Sequence, residues 1–330
     1  MNRSIPWSIG ATLAATLVLS GCGGGSSNGG TQAAAPSAGT SGSTSAKPAG
    51  TACKIGMTQI NQTAVFFTQM NEGATKAAAD AGCTLSISNA NNDSAKQNSD
   101  IENFVSQGVT GLIVVAIDVN GVLPAVKAAR DKGIKVVAID SNLTKGTIDT
   151  FVGVDNAKAG ATIGQYVVDN GLAKGTSYGV VDAKNSFIQN QREDSFRKTV
   201  DAAGAKYTQS VSGENVQEKA AAAAQNLVTA QPKVSFIYTT GEPATVGAAA
   251  ALKGNKNKKI IGWDLTKEVI GGIDSGLVAA IVQQNPKQEG VDAVGELKSL
   301  IGGGAAKTFI DVPITIVTKA NVEQFRSIFP

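Results

Sequence analysis

Two hydrophobic patterns alternate along the chain from residue 53 onward. Short runs that are apolar throughout give way to longer stretches in which apolar and polar positions recur with a helical period. The apolar runs predict strands at Lys54–Ile60, Thr84–Ser88, Gly111–Ile117, Lys135–Ile139, Phe151–Val154, Ser177–Val181, Tyr207–Val211, Ser235–Tyr238, Lys259–Trp263 and Ala279–Val282. Between most of them lie segments rich in helix formers, such as "TKAAADAG", "VLPAVKAARDKG" and "EKAAAAAQNLVTAQ". The first two end in glycine, a common helix stop. Strands without an exposed polar face, separated by helices, predict an α/β fold whose parallel sheets are covered on both sides.

The pentapeptide "VVAID" occurs at Val114–Asp118 and again at Val136–Asp140. Each copy reads as a fully buried parallel strand ending in an aspartate, with a crossover helix between them. In open α/β sheets ligands bind beyond the carboxyl ends of the strands. That rim is expected to carry Asp118, Asp140, Asp155, Asp182 and Asp264. Asp118 and Asp155 read as helix caps or turn closers. Asp140 in "IDSN" and Asp264 in "GWDLT" sit among short polar and aromatic residues and are the better ligand candidates.

Composition narrows the chemistry. The chain has 330 residues, of which 42% are hydrophobic and 17% charged, enough to bury the cores of roughly two domains. The net charge is +3 with no long basic block, which gives nucleic acid no footprint. Histidine is absent, so the commonest general base and metal ligand is missing, and neither a metal nor a cofactor is expected. Residues 1–22 read as a signal peptide: Arg3, then a short apolar core, then "LSGC". That ending resembles the lipobox of bacterial lipoproteins, which implies lipidation of Cys22 and an extracytoplasmic, membrane-anchored protein. The other reading is an ordinary cleavage site that contains a cysteine. Residues 23–50 hold no aromatic or large aliphatic side chain and read as a flexible Gly/Ser/Ala tether. Cys53 and Cys83 each precede a predicted strand. If those strands are parallel neighbours, the two thiols lie at one end of the sheet and can bond; otherwise they are buried free thiols.

"NQTAVFFTQ" places Phe66 and Phe67 at the start of a helix after a polar loop. Neighbours on a helix point about 100° apart, so one ring is expected inward and the other toward the rim. An aromatic face beside amides and acids suits a sugar, covering its C–H face while polar groups bind its hydroxyls. With "QGVTGLIVVAID", "KGIKVVAID", "VGVDNAKAGATIGQYV", "QREDSFRKTVDAAG" and "IIGWDLTKEVIGGIDSGLVAAIVQQNP", the order and spacing of segments over residues 53–320 resemble the sugar-binding proteins of bacterial ABC importers, the ribose- and galactose-binding class.

The resemblance implies two doubly wound parallel-sheet lobes joined by a three-crossing hinge, with the ligand in the interlobe cleft. Residues 52–155 with 285–312 would form the N-terminal lobe, and residues 156–284 with 313–330 the C-terminal lobe. Carried over position by position, the polar residue before the aromatics falls on Asn61 or Gln62. The aromatics fall on Phe66 and Phe67, the first-lobe acid on Asp140, the second-lobe acid on Asp264 and the hinge amide on Gln284. Where ribose binders place an arginine after the first acid, Ser141 and Asn142 stand here. A second-lobe arginine position falls on Asn190, with Arg192 two residues on. The next loop's aromatic position falls near Asn215. Trp263, beside Asp264, offers a further stacking face or belongs to the core.

The resemblance implies a monomeric receptor that closes over a monosaccharide or polyol and hands it to an ABC permease with its ATPase. A signalling receptor for a sugar-like autoinducer or nucleoside is the alternative. A glycoside-acting enzyme is less well supported. "GTSYG" has nucleophile-elbow spacing, but Ser177 begins a strand instead of ending one and there is no histidine base; "GGGAAKT" lacks phosphate-loop spacing.

Overall fold

The computed structural model describes residues 52–62, 65–144 and 146–329. The expected signal peptide, Cys22 and the tether lie outside the described residues. Strands in chain order are β1 (Lys54–Gln59), β2 (Thr84–Asn89), β3 (Gly111–Val114), β4 (Lys135–Ile139), β5 (Thr150–Gly153), β6 (Ser177–Asp182), β7 (Lys206–Ser212), β8 (Phe236–Thr239), β9 (Lys259–Trp263), β10 (Val278–Gln283), β11 (Phe309–Asp311) and β12 (Thr315–Val317). Helices are α1 (Val65–Asp80), α2 (Ser94–Ser106), α3 (Leu123–Asp131), α4 (Asn156–Asp169), α5 (Phe187–Ala202), α6 (Gln217–Ala230), α7 (Glu242–Ala251), α8 (Lys267–Asp274) and α9 (Pro286–Ile301).

Two six-stranded sheets result. The first runs β11-β5-β4-β3-β1-β2 and is parallel throughout. The second runs β12-β10-β9-β8-β6-β7 and is parallel except for β12, which pairs antiparallel with β10. The chain passes between the sheets after β5, again between β10 and α9, and a third time between β11 and β12. Each sheet has an apolar cluster on both faces. In β4, Val137 and Ile139 join one cluster with α1 and α9, while Val136 and Ala138 join the other with α2 and α3. A strand buried on both sides admits no polar alternation, which is why these runs are apolar throughout.

The two "VVAID" copies differ in structure. The second forms β4 and ends in Asp140, but in the first only Val114 belongs to a strand. Val114 pairs with Ala138, so the copies are offset instead of aligned. Beyond Val114 the buried Gln97 side chain replaces the missing strand partner: its Nε2 donates to Val115 O (2.8 Å), and its Oε1 accepts from Ile117 N (2.9 Å). Asp118 then closes a turn by accepting from Asn120 N (2.9 Å), and Asp155 caps α4 by accepting from Lys158 N (2.9 Å).

α1 and α9 approach unusually closely. A β-carbon on Gly73 would overlap Lys287 O, and one on Gly290 would overlap Met70 O. The two glycines let the helix backbones touch, Gly73 against Lys287 and Gly290 against Met70 and Ala74. Among the described residues no helix is long and apolar enough to cross a membrane.

Cys53 and Cys83 form a disulfide with Cα atoms 4.7 Å apart, beside the first pair of the parallel β1–β2 register, Lys54 with Thr84. It closes a loop with a sequence separation of 30, for which a loss of about 2–4 kcal/mol is expected on removal. Replacing both cysteines with serine should therefore lower the urea midpoint by that equivalent. The untreated protein should show no alkylatable thiol at either position.

Candidate functional site

The carboxyl rims of the two sheets carry the same device. Asp140 follows β4 with φ 62°, and Asp264 follows β9 with φ 59°. The amide of Asp140 donates to Val152 O (3.0 Å), and that of Asp264 to Val282 O (2.8 Å), each on the neighbouring strand. The left-handed conformation is one that aspartate and asparagine tolerate better than most residues, and it costs about 1–3 kcal/mol. Strain at the same place on both rims points to function.

Arg192 links these acids. It projects from α5, is 3% exposed, and feels Asp264, Asp140 and Glu289 electrostatically. Its guanidinium lies over the Trp263 ring at 3.6 Å, its Nε donates to Asn156 Oδ1 (2.7 Å), and one terminal nitrogen donates to Thr240 O (3.2 Å). Burial pulls the pKa of Arg192 down, and the three acids oppose it. Burial pushes Asp140 and Asp264 up, with Arg192 opposing both shifts. Gln284 further restrains Asp264: its Nε2 donates to both carboxylate oxygens at 3.2 and 3.1 Å.

Other candidates fall into place with differing fates. Trp263 does not offer a stacking face. Its ring is fully buried, its indole N–H donates to Tyr238 OH (2.9 Å), and Arg192 covers one face. The inward and outward split expected for the two phenylalanines is also corrected. Both are half-buried against the same core cluster, edge to face at 5.3 Å. Phe66 also lines a cavity of about 410 Å³ together with Gln69, Glu242, Asp264, Lys267 and Pro286. Asn61 is half-buried and donates to Asn92 Oδ1 (3.4 Å), whereas Gln62 is exposed in a separate shallow groove beside Asn71 and Glu72. Ser141 is half-buried and Asn142 exposed. Asn190 donates to Lys184 O (3.1 Å) while its buried Oδ1 has no partner. Asn215 is exposed with φ 59° and accepts from Gln189 Nε2 (2.8 Å), so Gln189 positions it.

The residue that sequence reasoning missed is Glu289. It is wholly buried near the start of α9, and neither carboxylate oxygen has a hydrogen-bond partner. Burial raises its pKa well above the usual range, and Asp140 and Asp264 add to the rise. Gln59, also wholly buried at the end of β1, leaves its Oε1 unpartnered while its Nε2 donates to Asn71 (2.8 Å). The signal for Gln59 was available: an amide closing an otherwise apolar run. Glu242 at the cavity wall is pushed up to about 7 by burial and by the charges of Asp264 and Glu268.

These shifts fix the sign of the pH dependence. The folded protein holds protons on Glu289 and Glu242 that the unfolded chain has already released. Stability therefore falls as pH rises from the ordinary carboxylate range through the raised values. Asp140 and Asp264, also raised by burial, act in the same direction, and the chain has no histidine to oppose them. The melting temperature of the ligand-free protein should climb as pH is lowered from about 8 to about 5, and Glu289→Gln should flatten the rise.

Comparison with known proteins bears on this geometry. The family model described as periplasmic binding protein domain matches residues 55–305. The ribose import binding protein RbsB of Bacillus subtilis is 26% identical over 280 residues, covering 83% of this chain and 91% of that protein. The xylitol-binding protein of Mycolicibacterium smegmatis is 26% identical over 278 residues, covering 82% and 78%. Among solved structures, a periplasmic ribose ABC transporter protein from Conexibacter woesei superposes with a TM-score of 0.77 at 22% identity, covering 84% of this chain and 95% of that one. The arabinose-binding protein AraP of Geobacillus stearothermophilus gives 0.77 at 21% identity, covering 83% and 99%. With two mostly parallel sheets, three passages between them and a family match over most of its length, the chain belongs to the periplasmic binding protein family.

Proposed function

We propose that this protein is the extracytoplasmic receptor of an ABC importer and captures a monosaccharide or related polyol between its two sheets. One observation carries the reading: acids held in the same strained conformation on both rims, with a buried guanidinium coupled to each. Ionised carboxylates are strong acceptors for hydroxyl groups. A guanidinium has five N–H donors, and two of those on Arg192 are taken by Asn156 and Thr240. The half-buried Phe66 in the cavity wall suits the C–H face of a sugar ring. The relatives support the class, since they are named for ribose import and xylitol binding, and one solved neighbour is described in complex with D-arabinose. They are named as binding proteins and not as enzymes.

Residues 52–155 with 285–312, and 156–284 with 313–330, act as the two lobes. A ligand touching both favours the closed form, which an ABC permease with its ATPase recognises. Around the acids, Asn61, Ser141, Asn142, Asn190 and Asn215 supply the amides and hydroxyls that discriminate among ring substituents. Gln284 ties Asp264 to the crossing. Cys22 carries the lipid that anchors a monomeric protein at the membrane, and residues 23–50 give it reach.

Asp264→Ala should abolish the ligand-induced thermal shift seen with the best sugar in a panel of pentoses, hexoses, inositols and acyclic polyols. The loss corresponds to at least about tenfold in affinity, as removal of a charged hydrogen-bond partner implies. Asp264→Asn, which suits the same backbone conformation, should fold normally and bind weakly. Wild-type affinity in either variant would remove Asp264 from the site. Unchanged uptake of that sugar after deletion of the protein would refute the transport role. For the anchor, Cys22→Ala should prevent incorporation of radiolabelled palmitate and move the protein from the membrane to the soluble fraction.

A further inference from the structure

The charge of the cleft is not that of a neutral-sugar trap. Asp140, Asp264 and Glu289 share the field of the buried Arg192, while Glu242 and Glu268 stand with Lys267 around the cavity. Five acidic side chains and two cationic ones lie here, with burial raising the pKa of Glu289 and Glu242 so that both are ready to ionise against a cationic guest. Lys287, the nearest lysine on the α9 first turn, is exposed and lies 3.7 Å from Glu72, so it does not neutralise Glu289. Asp292, on the next turn of the same helix, is a further acid and accepts from Gln288 (2.9 Å).

Hydrogen-bond accounting points the same way from separate observations. Among the buried side-chain atoms without a partner, both oxygens of Glu289, Oε1 of Gln59 and Oδ1 of Asn190, Asn98 and Asp182 are acceptors, while Gln69 Nε2 and Arg197 Nε are donors. Glu289 stands three residues after Pro286, and residues at that spacing share a helix face. Pro286 lines the cavity, as does Gln69 of α1, and the two helices meet at Met70 and Gly290, the residues next to Gln69 and Glu289. A hydroxyl group both donates and accepts. An ammonium group donates three times and accepts nothing, so it matches a set of unpartnered acceptors, and its charge favours the ionised form of Glu289. Glu289 also stands near the amino end of α9, whose dipole favours a carboxylate there.

We propose that the ligand is a polyhydroxylated ring bearing a protonated amino group, an amino sugar or amino-cyclitol, with Glu289 as the receptor of its ammonium. Asp140 and Asp264 take flanking hydroxyls, and Arg192 takes ring or hydroxyl oxygens. This inference rests on the sugar-receptor reading and narrows it.

The test pairs each neutral ring with its amino counterpart: glucose with glucosamine, galactose with galactosamine, mannose with mannosamine, and myo-inositol with an inosamine. N-acetylglucosamine serves as the uncharged amide control. Titration calorimetry at pH 7.5 should show at least one amino compound binding about ten- to a hundredfold tighter than its neutral partner, the range for a charge-assisted contact. Glu289→Gln, checked for fold by circular dichroism, should erase that preference, lowering affinity for the amino compound by more than for its neutral partner. Neutral rings binding as tightly as amino rings in wild type would overturn the inference and leave the sugar receptor standing. A preference that survives in Glu289→Gln would remove Glu289 from the role. Failure of every compound to bind would overturn both readings.

Discussion

The structure turns on one buried guanidinium among carboxylates. Moving an isolated arginine or aspartate out of water is costly, and a paired arrangement is tolerated only where further hydrogen bonds hold it. Arg192 meets that condition through Asn156, Thr240 and the face of Trp263. Its position requires α5 of the second sheet to bring it within electrostatic reach of Asp140 and Glu289 of the first. Burial lowers the basicity of Arg192 and the acidity of its partners, so each charge in the group depends on the others being present. Interactions of this kind in a site of low polarity are stronger than in water. They also penalise any guest that leaves one of them unmatched.

The two rims reach this state by the same backbone route. In each sheet a strand ends on an aspartate in the left-handed conformation, with its amide still bonded to the neighbouring strand. The amide bond keeps the residue in the sheet, while the positive φ turns the chain out of it. Neither sheet could supply a two-sided site alone. Parallel strands direct all their carboxyl ends one way, so two such sheets joined at crossings can present those ends to one cleft. The glycine contacts between α1 and α9 add a third wall to the first rim, because a side chain at Gly73 or Gly290 would force the helices apart and withdraw Glu289.

Much of this was legible in the sequence because burial on both faces leaves no polar alternation. The ten apolar runs from Lys54 to Val282 each overlap a strand. β11 and β12 were not legible: each is three residues long, has exposed positions, and carries no two-sided apolar run. The first "VVAID" was over-read because periodicity cannot show that the Gln97 side chain takes over backbone bonding after Val114. Asp140 and Asp264 stood out by their place at strand ends. The role of Trp263 was ambiguous, since an indole before an acid is as compatible with a buried platform for arginine as with a ligand face. Glu289 was invisible. A glutamate in the first turns of a helix is ordinarily a solvated group favourable to the dipole, and only the α1–α9 contact buries this one.

Gln284 shows how a binding event and a hinge can be one structure. It lies in the second passage between the sheets, between β10 and α9, and its amide nitrogen is shared by both oxygens of Asp264. Its neighbour Gln283 donates to Gln284 O (2.9 Å) and accepts from Leu265 N (2.8 Å). The residue after the acid and the passage itself are thus joined by side-chain amides. Five residues further along the same segment stands Glu289, so this strand of hinge carries an acid-bound amide at one end and an unpartnered carboxylate at the other. Under the proposed function, a guest satisfying both would fix the passage at two points, whereas a guest reaching Asp264 alone would leave both oxygens of Glu289 unpartnered.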